Sequence, residues 1–173
     1  MKIARVVLAV AVLAAAAYAI RQRPYERYRC NRDLKLVQAR IDTLSDVHDP
    51  ARIAIGTRET LAVLVRCKAA LPASVHVRKF IADSYLLRDD YENARLGYLE
   101  ALQVDRRPEI YQDLGLATMR LGRTQEAFDH FVTSSLVRPD NILLIDEPMR
   151  SAVAMAVTRQ LRAAEEREKQ PTR

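Results

Sequence analysis

The sequence predicts an all-α chain: a short solenoid of antiparallel helix pairs behind an apolar N-terminal helix. Three observations carry that expectation: a helix-favouring composition, apolar stripes at helical spacing, and a self-echo in which the pattern around Ala94 returns around Ala127. Hydrophobic residues fill 49% of the 173 positions and charged residues 29%, with only four glycines, which excludes a disordered or low-complexity chain. Ala, Leu, Arg and Glu abound, so helix is favoured throughout. The length suits one domain.

The first element is a run without a polar face. Val6 to Ile20 holds only Val, Leu, Ala, Tyr and Ile, and Lys2 and Arg5 precede it, the layout of a charged region followed by the apolar stretch of an export signal. Small residues at Ala17 and Ala19 permit cleavage after Ala19. The run is shorter than a full bilayer span, but Ile3, Ala4 and a snorkelling Arg5 lengthen it. Arg21 and Arg23 would make a poor mature N-terminus. The expectation is therefore an uncleaved single-pass signal-anchor over 1–23, with a soluble periplasmic form as the alternative. The basic residues that follow would, on the positive-inside rule alone, keep the rest cytoplasmic. The signal-like start and the cysteines favour the periplasm.

Charge is distributed unevenly. Residues 1–40 hold nine basic side chains against two acidic ones, which leaves 19 basic against 20 acidic in the remainder of a chain whose net charge is +6. The near-neutral remainder lacks the broad footprint of a nucleic-acid binder.

Residues 24–72 read as a helical hairpin. Cys30, Leu34, Val37, Ile41 and Leu44 make one stripe, and after the break at Asp46 to Pro50 a second stripe runs Ile53, Thr60, Leu64, Cys67 and Leu71. Asp49 is the expected N-cap and Pro50 the first helical residue. With the turn near His48, Cys30 lies almost as far before it as Cys67 lies after it, so an antiparallel hairpin sets them level. A disulfide in an oxidising compartment suits that geometry, and two separate buried thiols are the alternative. Neither cysteine has C-x-x-C spacing and the three histidines are scattered, so no metal site is expected.

The internal period occupies residues 73–141. Ala94, Tyr98 and Ala101 are echoed at one constant offset by Ala127, Phe131 and Ser134, each set on one helix face. Tyr111, Leu114, Gly115, Gly122, Ala127, Phe131 and Pro139 complete the second unit; Ile81, Ala82, Tyr85, Ala94, Tyr98 and Ala101 mark the first. On these residues the chain resembles the tetratricopeptide repeat family, departing from it at Arg78, where the family has a large apolar residue. Small residues let helices approach, and large aromatic ones fill the space between. The hairpin upstream then reads as a degenerate or capping repeat. A C-terminal capping helix over 142–164, with Met149, Ala152, Val153, Ala156 and Val157 inward, is followed by a charged tail, 165–173, expected to fray.

No Gly-rich phosphate loop, nucleophile elbow or H-E-x-x-H motif is present, and no enzyme activity, cofactor or small-molecule substrate is expected. The family resemblance implies a concave groove lined by the first helix of each repeat, which holds a protein or peptide. Its aligned positions are His76, Lys79, Phe80, Asp83 and Leu86, then Glu109, Gln112, Asp113, Leu116 and Met119. The expected function is a protein-interaction adaptor or scaffold at a bacterial inner membrane, its repeats periplasmic, within an envelope complex. Two alternatives stand beside it: a structural subunit permanently embedded in a membrane complex, and a cytoplasm-facing anchored module.

Overall fold

The computed structural model describes residues 2–169, with side chains from position 24 onward. Seven α-helices follow one another among the described residues: α1 (Lys2–Ser45), α2 (Pro50–Ala70), α3 (Val75–Leu86), α4 (Tyr91–Leu102), α5 (Pro108–Arg120), α6 (Thr124–Val137) and α7 (Met149–Lys169), with a 3-10 helix at Pro139–Leu144 before the last. No strand occurs among them. Each helix packs on its neighbour in sequence, and α1 also touches α3. The expected signal or anchor segment, 1–23, lies outside the residues whose side chains are described, as does its cleavage position. Among the described residues no helix is long and apolar enough to cross a membrane.

Local chemistry accounts for the boundaries. Asp49 accepts a hydrogen bond from the Ala51 N–H at 2.9 Å with Pro50 at the first helical position, while Ser74 caps α3 and Asp90 caps α4. The ends of α3 and α5 share one C-terminal geometry. Asp89 at φ 58° and Gly122 at φ 76° occupy the left-handed region at equivalent places in the two repeats. Around Asp89, the Asp90 N–H bonds Tyr85 C=O at 3.0 Å and the Asp89 N–H bonds Leu86 C=O at 3.0 Å; around Gly122, Arg123 bonds Thr118 at 3.2 Å and Gly122 bonds Met119 at 2.9 Å. Both are the paired bonds of a Schellman C-cap. The period read from side chains is thus a period of the backbone. Glycine occupies the position at no steric cost; Asp89 holds it with its carboxylate accepting from the Tyr91 hydroxyl.

The core falls into three linked clusters. Cys30, Val37, Ile41, Leu64 and Cys67 of the hairpin pack on Val77 and Phe80 of α3. Ala82, Ala94, Tyr98, Ala101, Ile110, Leu114 and Ala117 form the middle, and Ala127, Phe131, Val132, Ile145, Val153 and Val157 the C-terminal part. Cys30 and Cys67 form a disulfide with Cα atoms 5.4 Å apart, and both are fully buried. Gly115 lies against the Phe131 ring so closely that a Cβ there would stand 2.6 Å from a ring carbon.

Four features differ from the sequence reading. Phe80, aligned with the groove, is 6% exposed and packs into the hairpin core, because α1 and α2 cover α3 from that side. Thr57 joins the buried stripe of α2, its hydroxyl satisfied by the Ile53 carbonyl at 2.7 Å. And α7 continues to Lys169, beyond the position where the charged tail was expected to fray, since residues 162–169 are Ala, Glu, Arg and Lys, all strong helix formers. α1 likewise runs unbroken through Pro24, joining residues 2–23 to the hairpin in one helix.

Candidate functional site

The face shared by α3 and α5 carries the residues expected to line a groove, and its centre is an ionic cluster in which Asp83 is buried and Lys79 and Asp113 are half-buried. Lys79 donates to both carboxylate oxygens of Asp83 at 3.0 Å, one turn along α3, and reaches Asp113 of α5 at 2.8 Å. The Tyr98 hydroxyl of α4 donates to Asp83 Oδ1 at 2.8 Å. Four side chains from three helices are thereby tied together across the boundary between the two repeats. Tyr98, which the sequence marks only as a packing aromatic, is also the hydrogen-bond donor that satisfies this carboxylate.

One lysine serves two carboxylates, and that stoichiometry sets the electrostatics. Burial works against the Lys79 charge, but Asp83 and Asp113 together outweigh it and hold the ammonium above its ordinary value. Each carboxylate is desolvated and shares a single cation. Burial therefore pushes Asp83 up to about 6, against the pull of Lys79, with Asp113 adding repulsion. Asp113 is raised by burial as well, and Glu109 one turn earlier repels it. With all four groups ionised, Lys79 is outnumbered by Asp83, Asp113 and Glu109.

The other residues expected to line the groove divide by exposure. His76 is exposed at the start of α3, its ring 6.2 Å from that of Phe80. Leu86, Leu116 and Met119 are half-buried and present apolar surface at the far end of the face. Gln112 is 8% exposed, and its Oε1 has no hydrogen-bond partner. A hollow of about 180 Å³ opens where α1 meets the first turns of α3 and α5, lined by Gln38, His76, Lys79, Arg107 and Glu109. The repeat-signature residues Ala82, Ala94, Tyr98, Ala101, Leu114, Gly115, Ala127 and Phe131 are buried; Tyr85 and Tyr111 are half-buried, Gly122 makes the turn, and Pro139 begins the 3-10 helix.

Lys79 and Asp83, expected to line the groove, are thus paired with each other, and Lys79 is paired with Asp113 as well. Among the described residues no grouping of His, Cys, Asp and Glu could hold a metal ion. No protein-family model, curated protein or solved structure matches the chain.

Proposed function

We propose that this chain is an interaction module of the tetratricopeptide type, tethered to a bacterial inner membrane by its N-terminal segment, with its repeats in the periplasm. It acts as an adaptor without catalytic chemistry of its own, holding a protein or peptide of an envelope complex along the face of α3 and α5. The observation that carries the reading is the recurrence of a helix pair whose first helix is closed by the same left-handed C-cap, at Asp89 and again at Gly122. Such units stack so that their first helices form one continuous face. The buried Cys30–Cys67 bond supports an oxidising compartment. The apolar edge of the face, at Leu86, Leu116 and Met119, supplies contact area, while the ionic cluster keeps α3 and α5 in register.

A photo-crosslinking residue at Leu116 or Met119, introduced into the chain in its own membrane, tests this. Both positions should yield the same discrete adduct, and Leu96 on α4, 49% exposed, should not. Equal labelling from Leu96, or none from Leu116, would sink the proposal. A second reading, a subunit permanently embedded in a larger assembly, is favoured by Val137, Leu143 and Leu144, which lie close together in the chain and are 67%, 71% and 70% exposed. In that case the strongest adducts would come from Leu143 and Leu144.

A further inference from the structure

A second surface, separate from the α3/α5 face, lies between α1 and α2. It is a cleft of about 490 Å³ lined only by the hairpin, with Leu36, Val37 and Val63 as its apolar part and Arg29, Arg40 and Arg66 around it. Leu36 stands 67% exposed inside this ring of charge. The arginines are only partly neutralised. Asp33 receives Arg66 at 2.7 Å and Arg32 at 3.2 Å with Arg29 at 3.9 Å, while Arg40 meets Glu59 at 2.8 Å. Four guanidinium groups thus share two carboxylates, and each still has N–H donors to give.

Polar cover is what the open end of a solenoid needs, and the arginines provide some of it. They do not cover Leu36, and they leave two uncompensated positive charges around it. A second copy of the chain is a poor match, because the hollow on the outer side of α7 is also positive, with Arg159 and Arg162 against Glu166. Lipid headgroups fit less well than a protein segment. Arg29 and Arg40 stand about three turns apart on α1, roughly 16 Å at the helical rise, with the apolar floor between them. A headgroup layer would engage one end of that length; a helix or strand laid along the hairpin engages both.

We infer that the α1/α2 cleft docks an acidic amphipathic segment of a partner protein, its apolar side chain covering Leu36 and its carboxylates meeting Arg29, Arg40 and Arg66. The probe is a short fluorescent helical peptide of Leu, Ala and Glu, titrated by anisotropy against the full chain in detergent micelles. Saturable binding is expected, weakened about tenfold by Arg29→Gln with Arg40→Gln and several-fold by Leu36→Ser, and retained in Leu36→Met. Circular dichroism confirms that each variant keeps its helices. Leu116→Ser on α5 should leave this affinity unchanged, so failure here is distinct from failure of the α3/α5 reading. The inference is overturned if the peptide does not bind, if a version with Lys in place of Glu binds equally, or if Leu36→Ser has no effect. Displacement of the peptide by phosphatidylglycerol vesicles with no dependence on Leu36 would assign the cleft to lipid headgroups instead.

Discussion

Replacing Asp83 by Asn removes a charge that the folded chain accommodates poorly while keeping an oxygen for the Tyr98 hydroxyl. The residue is 9% exposed, and burial raises its carboxyl from 3.8 to about 6. The folded state therefore holds the Asp83 proton more tightly than the unfolded chain does. This stabilisation is fully present below about pH 3.8 and is lost as the pH rises through about 6. A rise of that size corresponds to about 3 kcal/mol. Denaturation of the wild type and Asp83→Asn, followed by helical circular dichroism at pH values on either side of that window, reads the effect; Asp113 titrates in both proteins, with the repulsion between the two carboxylates removed in the variant. The stability difference should move by about 3 kcal/mol in favour of the Asn variant between acid and neutral pH. A difference that is independent of pH, or that moves towards the wild type, would refute the reasoning. It would mean that Lys79 outweighs burial at Asp83.

Four further outcomes follow from the packing. Cys30→Ala with Cys67→Ala should lower stability by about 2 to 4 kcal/mol, and a reductant should bring the wild type down to the variant in the same melt. Gly115→Ala forces a Cβ to within 2.6 Å of the Phe131 ring, so a loss of about 1 to 3 kcal/mol is expected on thermal unfolding. Gly122→Ala meets no atom within 4 Å and should cost only about 1 kcal/mol, from its left-handed backbone. Tyr98→Phe should cost about 1 to 3 kcal/mol by leaving Asp83 without its hydroxyl donor, with the larger loss above about pH 6, where the carboxylate is ionised.

Much of the architecture could be read from spacing because helical stripes and small-large alternation are local properties of a chain. The stripes through Cys30 and Cys67 placed both thiols on facing sides of one hairpin, and Asp49-Pro50 marked the start of α2 by chemistry confined to two residues. The echo of Ala94, Tyr98 and Ala101 in Ala127, Phe131 and Ser134 located both repeats. What escaped depends on contacts between distant elements. Phe80 is an apolar residue at a groove position, and only the approach of α1 and α2 decides that it is core. Lys79 and Asp83 at i and i+4 read equally well as a solvated pair; Asp113 on the next repeat and Tyr98 beneath make them a partly buried network. Tyr98 offered a signal, since a buried phenol hydroxyl requires an acceptor, but nothing in the sequence names Asp83 as that acceptor. The α1/α2 cleft was equally hidden, because Arg29 and Arg40 read as part of a basic stretch and Arg66 as a separate charge, and the Arg66–Asp33 and Arg40–Glu59 pairs form only when the hairpin closes.

The two helices of the N-terminal hairpin are held together by the Cys30–Cys67 bond, and the proposed location on the oxidising side of a membrane stands or falls with that bond in the cell. Intact cells quenched with a membrane-permeant alkylating reagent, followed by non-reducing peptide mass mapping, test it directly. The account predicts a Cys30–Cys67 linked peptide pair with neither thiol alkylated. Recovery of both cysteines in alkylated form would contradict it.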